Sequence, residues 1–140
     1  MAKHSYAYFR AQRNRGQVNL TTDNLEAWLI SSGYTPDYDN HKFFSSVSEA
    51  YRVAGPVPLE NVTVSDLSVV DLDDFQFGPF TGGQGLYMLV VQRKTSDADS
   101  VLVVLEAGST GLPSPSQTNG VVPVVIDDGP DKFWRDVDAA

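Results

Sequence analysis

The stretch Leu86–Ala107, LYMLVVQRKTSDADSVLVVLEA, decides how this chain folds. Two continuous apolar runs, LYMLVV and VLVVL, flank the short polar segment Thr95-Ser96-Asp97-Ala98-Asp99. Runs this short fit a helical hairpin or a β-hairpin. The residues Val90, Val91, Val101, Val103 and Val104 favour strands, because a branched Cβ packs well on a pleated surface and loses rotamer freedom in a helix. Continuous rather than alternating apolarity further predicts a hairpin buried on both faces.

The β pattern extends outward from this hairpin. LEAWLIS (25–31) follows the turn-like Thr21-Thr22-Asp23-Asn24. Ala50–Val53 and Leu59–Ser65 bracket a predicted turn at Gly55-Pro56, and Pro58 keeps that region off a central ladder. LSVVDL (67–72), the period-two FQF (75–77) and the turn at Gly82-Gly83 lead into the hairpin. Beyond it come a long loop (109–116), VVPVVI (121–126) with Pro123 marking an edge strand or a bulge, and KFWRDV (132–137) as a final strand. About eight short strands with turn signals between them predict a mainly β fold, an antiparallel sandwich or barrel. The expected core is Leu25, Trp28, Ile30, Phe75, Phe77, Leu89, Val91, Leu102, Val104 and Val124.

One short helix is predicted at the start, over Ser5–Asn14, with Ser5 as N-cap, Arg13 and Arg15 near the negative dipole end and Gly16 just past it. Tyr6, Phe9 and Arg13 share a face, flanked by Tyr8. Residues 1–22 contain Lys3, Arg10, Arg13 and Arg15 and no acid, a charge of +4. The remaining 118 residues hold six Lys/Arg against eighteen Asp/Glu, −12, for the net −8. The expected organisation is a basic N-terminal arm (1–22) and a single β domain (23–140). On that reading, deleting residues 1–16 leaves the β fold intact.

Composition excludes several classes. With 140 residues the chain suits one domain, and its long Val/Leu runs supply enough apolar surface to offset chain entropy. No cysteine is present, so there is no disulfide framework, thiolate nucleophile or cysteine zinc site. The N-terminus lacks the apolar run of a signal peptide, and the longest apolar runs are too short to span a bilayer as a helix. An acidic body disfavours nucleic acid, whose binding rests on phosphate neutralisation. The expectation is a soluble protein with neither nucleic acid nor membrane as partner.

Candidates for catalytic and metal chemistry are few. His41 lies beside Asp37 and Asp39 in SSGYTPDYDNHKFFSSV (31–47), but no nucleophile-elbow motif accompanies it, and a histidine capping a turn is the commoner role. Asp71, Asp73 and Asp74, then Asp97 with Asp99, then Asp127, Asp128 and Asp131 form acidic clusters without EF-hand spacing. Asp closes turns through its own side chain, which is the simpler account. Gly82-Gly83-Gln84-Gly85 precedes a strand, whereas phosphate loops precede a helix. Tyr34, Tyr38 and Trp134 would suit a carbohydrate face only if exposed. The expectation is a protein that is not an enzyme and takes no cofactor or metal.

DNLEAWLISSGYTPDYDNHKFFSSVSEAYRVAG resembles a pattern in small virion proteins of tailed bacteriophages. The matching residues are Asp23, Asn24, Leu25, Tyr34, Thr35, Pro36, Asp37, Asp39, His41, Phe43 or Phe44, and Val47, the block from Tyr34 to His41 being the most specific. LDDFQF (72–77), the 86–108 hairpin and GVVPVVIDDG resemble later segments in the same order; Gln92-Arg93-Lys94 and Pro123 depart from the pattern. The resemblance implies a virion structural protein on the capsid surface, a decoration (cement) protein. Its partner would be the major capsid protein, with self-association about a local threefold into a homotrimer. The partner-binding residues expected on that basis are Lys3, Tyr6, Phe9, Arg10, Arg13, Arg15, Tyr34 and Tyr38. The alternative is a tail-associated or surface-displayed module that binds a host receptor or glycan through loops such as 34–44 and 109–119.

Overall fold

A computed structural model describes residues 2–66, 69–107, 112–126 and 133–135. The fold is mainly β with one short helix near the N-terminus. In chain order the elements are β1 (Ala2–Ser5), α1 (Ala7–Asn14), β2 (Leu25–Ile30), β3 (Arg52–Pro58), β4 (Thr63–Val64), β5 (Val69–Asp71), β6 (Phe75–Gly82), β7 (Tyr87–Gln92), β8 (Val101–Ala107), β9 (Gln117–Val124) and β10 (Trp134–Arg135). Short 3-10 turns at Phe44–Ser46 and Glu49–Tyr51 lie between β2 and β3.

The strands form three antiparallel sheets: β1-β8-β7-β2-β3, β10-β5-β4, and the two-stranded ribbon β6-β9. The first is the body of the protein. The predicted hairpin is its centre, with β7 paired to β8 from Tyr87↔Ala107 to Gln92↔Val101. Met88–Val91 and Val101–Leu105 are all buried, as continuous apolar runs require. The core also holds Leu25, Ile30, Phe77, Leu89, Leu102 and Val104 as expected, whereas Trp28, Phe75 and Val124 are only half-buried.

Three expectations are corrected. Gly55-Pro56 is not a turn between two strands but lies inside β3, on the sheet edge, where the ladder shifts register opposite Ala27–Leu29. A proline is tolerated there because an edge strand need not donate on its outer side. Ser5 is not the helix N-cap: it lies in β1 opposite Val104, and Tyr6 takes the cap position without a side-chain cap bond. The third correction concerns the arm itself. β1 pairs with β8, Tyr6 and Phe9 are fully buried, and Val18 and Leu20 join the same core. Packing therefore shows no boundary near residue 22.

The helix stop behaves as predicted. Gly16, at φ +77, donates to the Arg13 carbonyl at 3.0 Å, while Gln17 reaches back to Gln12 at 2.8 Å. This paired closure satisfies two carbonyls that the helix end would leave open, and its left-handed residue suits glycine.

Pro123 also lies where its chemistry allows, in β9 opposite Gln76 on the two-stranded ribbon. The clusters Asp127, Asp128 and Asp131, the side chains of Lys3 and Trp134, and part of the 109–116 loop lie outside the described residues.

Candidate partner interface on the N-terminal segment

The segment that carries the positive charge is fastened to the sheet by backbone and side chains together. The Tyr6 amide donates to the Val103 carbonyl at 3.0 Å and the Ala7 amide to the Tyr38 carbonyl at 2.8 Å. Helix α1 therefore starts between β8 and the 31–47 loop. Phe9 points into the core, and the Arg13 guanidinium lies 5.2 Å from its ring centroid.

Beneath the helix start runs a chain of hydrogen bonds that the sequence spacing does not reveal. Tyr6 Oη lies 2.8 Å from Tyr34 Oη, which lies 2.9 Å from His41 Nδ1. The backbone N–H of Asp37 also points at His41 Nδ1, at 3.3 Å. A backbone N–H can only donate, so Nδ1 is the acceptor. Tyr34 then donates to His41, and Tyr6 donates to the Tyr34 oxygen. The His41 amide closes the turn on the Asp37 carbonyl at 2.9 Å, and Asp37 Oδ1 accepts the amides of Asp39 and Asn40. The Tyr34–His41 block is thus a turn wrapped around one buried tyrosine, and His41 holds that turn through both its ring and its amide.

Burial pushes the Tyr34 hydroxyl up to about 12, against an ordinary value of 10.0. Burial, followed by the neighbouring Tyr34 charge, raises Tyr6 further in the same direction. Both groups are raised on folding, so their contribution to stability is complete below the unfolded value near 10 and is lost as pH rises through the folded value. The expected result is a flat stability profile to about pH 10, then a fall of about 1.4 kcal/mol per pH unit for each tyrosine still protonated in the fold. Urea midpoints between pH 8 and about 12 check this, and Tyr34→Phe should remove its share of the slope while leaving that of Tyr6.

A second cluster fixes the far end of the 31–47 loop. The Arg52 guanidinium stacks 3.8 Å from the Phe44 ring centroid, bonds Asp97 at 2.8 Å and donates to the carbonyls of Val47 and Phe44 at 2.9 and 3.2 Å. Asp97 is shared with Arg93 at 2.9 Å, and Arg93 also forks onto Glu26 Oε1 through Nε and Nη2, both at 2.7 Å. Glu26 accepts the Trp28 indole N–H at 3.0 Å as well. The Arg93 hydrogen bond, with Arg52 adding to it, holds Asp97 below the usual carboxylate range. The loop backbone then runs beside β8, with Phe44 donating to Ser100 and Leu102 donating to Lys42.

These contacts sort the expected partner residues. Tyr6, Phe9 and Tyr34 are buried and cannot meet a partner in the folded state. Their aromatic character drew them into the core instead. Tyr38 is half-buried, its ring 4.9 Å from His4 and 5.2 Å from Tyr6. Arg10 bonds the Ser5 carbonyl and hydroxyl at 3.0 and 2.8 Å, which leaves its outer side at the surface. Arg15 is exposed and leans on Gln12 at 3.1 Å. Sequence reasoning missed Lys42, an exposed residue whose ammonium lies 5.4 Å from the Tyr8 ring centroid and so adds a cation beside α1. Nothing in its local sequence signals that position.

Four of the acidic candidates have hydrogen-bond partners within the chain. Asp73 accepts Asn61 Nδ2 at 2.6 Å, Asp74 accepts the Ile126 amide at 2.8 Å, Asp71 caps the Leu72 amide at 3.0 Å, and Asp99 accepts the Ser96 hydroxyl. Among the described residues, no group of three His, Cys, Asp or Glu is arranged to hold a metal ion, and no helix is long and apolar enough to cross a membrane. No family model matches the chain, and no curated protein matches it.

Proposed function

We propose that this chain is a bacteriophage structural protein, a capsid decoration protein that binds the outer surface of the major capsid protein lattice and stabilises the head. The observation that carries this reading is the charge split held in fixed geometry. A helix bearing Arg10, Arg13 and Arg15, with Lys42 beside it, is fastened through Tyr6, Tyr34 and His41 to a body that is otherwise strongly acidic. A preorganised basic face meets an acidic surface without the ordering cost that a loose arm would carry. Many copies on a repeating lattice then turn a weak single contact into firm attachment. The block that fastens the helix, Tyr34–His41, is also the most specific part of the resemblance to phage virion proteins.

Densitometry of purified particles should find this chain in hundreds of copies, on the order of the capsid protein. Arg15→Glu combined with Lys42→Glu should weaken binding to particles stripped of the protein about tenfold at low salt, with the far-ultraviolet spectrum unchanged. The wild-type interaction should also weaken as salt rises. A handful of copies confined to the tail, or attachment indifferent to salt and to both substitutions, sinks the proposal and favours the receptor-binding alternative.

A further inference from the structure

The β6–β9 ribbon carries an exposed surface that the reading above does not use. In VVPVVI (121–126) burial alternates with period two: Val122 and Ile126 are buried and Val124 is half-buried, whereas Val121, Pro123 and Val125 face outward, Val121 at 40% and Val125 at 77% exposure. On β6, Phe77 opposite Val122 is buried and Gln76 opposite Pro123 is exposed. The solvent face of a one-sided strand is ordinarily polar. Here every outward position of β9 from Val121 onward is apolar.

We infer that this face is a contact between two copies of the chain, packed about a twofold axis that passes near Pro123. Two observations point to a second copy rather than another partner, and a third sets how it packs. Residues 75–83 and 112–126, which form the ribbon and its approaches, contain no charged side chain, in a chain of net charge −8. Two such chains repel over most of their surface, and this strip, whose bordering carboxylate Asp74 is turned onto the Ile126 amide at 2.8 Å, is where they approach with least of that cost. A partner recognised by charge would find nothing on the strip to pair with. The stripe is also its own complement: Val121-Val122-Pro123-Val124-Val125 reads the same in both directions. An antiparallel stack therefore sets Val121 of each copy against Val125 of the other, an isologous contact. Pro123 has no N–H and blunts strand addition along the ribbon edge, so the contact is face to face. A twofold is the symmetry that the stripe itself carries, in place of the threefold implied by the resemblance.

Sedimentation equilibrium on the full chain tests this. The expected result is a monomer–dimer equilibrium that holds or tightens as salt rises, since salt screens repulsion between like-charged copies. Val121→Asp with Val125→Asp should raise the dissociation constant about a hundredfold, with unchanged melting because both side chains lie outside the core. Val125→Ser repeats the test with the least demand on folding. A wild-type chain that stays monomeric at millimolar concentration, a trimer, or a dimer that these substitutions leave intact overturns the inference. Association of the basic helix with an acidic body would instead dissolve in high salt and answer to Arg15→Glu with Lys42→Glu, so failure of the capsid proposal and failure of this one are distinguishable.

Discussion

Deleting residues 1–16 should leave a chain that does not fold. The deletion removes β1 and so strips the outer ladder from β8, a strand at the centre of the core. It also removes Tyr6 and Phe9, both fully buried, together with the donor at the head of the Tyr6–Tyr34–His41 chain. Losing one such aromatic costs about 3–5 kcal/mol, against a total stability of about 5–15 kcal/mol for a domain. Phe9→Ala alone should therefore show a large fall in the urea midpoint, and the truncation should lose the dispersed amide spectrum of a folded β protein. A truncated chain that remained folded and cooperative would restore the expectation of a detachable arm. The basic charge would then have to act as a flexible tether rather than as a fixed face.

The second large effect is expected at Glu26. Its carboxylate is nearly buried, accepts the Arg93 fork at 2.7 Å and anchors the Trp28 indole at 3.0 Å. Glu26→Ala leaves the Arg93 guanidinium, 27% exposed and still paired with Asp97, short of one carboxylate and deprives the Trp28 indole of its acceptor, and should cost about 2 kcal/mol. Glu26→Leu with Arg93→Met removes both charges together and should recover most of that loss, since a buried pair stabilises little against well-packed apolar residues. Urea midpoints over the double-mutant cycle measure the coupling. Near-additive losses would show that the two residues act separately. The same cluster sets an acid response: Asp97 is held low by Arg93, so its contribution is present above the ordinary aspartate range and is lost as pH falls through its lowered value.

Local chemistry was legible wherever one residue type has one physical use. The Val-rich runs around Thr95–Asp99 read as a buried hairpin, Gly16 as a helix stop and Pro123 as an edge position, and the structure places them so. The Asp-rich stretches read only in part: Asp71 and Asp99 bond the neighbouring Leu72 amide and Ser96 hydroxyl, whereas Asp73 and Asp74 reach Asn61 and Ile126, 12 and 52 positions away. The candidate site read less well. Tyr6, Phe9 and Tyr34 combine apolar rings with sequence neighbours that are basic or turn-forming, so a surface role and a core role give the same local pattern. Gly55-Pro56 likewise reads as a turn by composition, yet an edge strand with a shifted ladder accommodates it.

The β character, the central hairpin and the separation of charge into a basic start and an acidic remainder follow from the residues alone, because strand preference, chain stiffness and formal charge belong to residues taken singly or in short runs. Long-range packing makes the basic start part of the core, joins Tyr6, Tyr34 and His41 in one hydrogen-bonded chain, and gathers Glu26, Arg52, Arg93 and Asp97 into one cluster. Glu26 and Arg93 lie 67 positions apart along the chain. Which distant groups meet depends on how three sheets close over a shared interior, a property of packing that no local stretch contains.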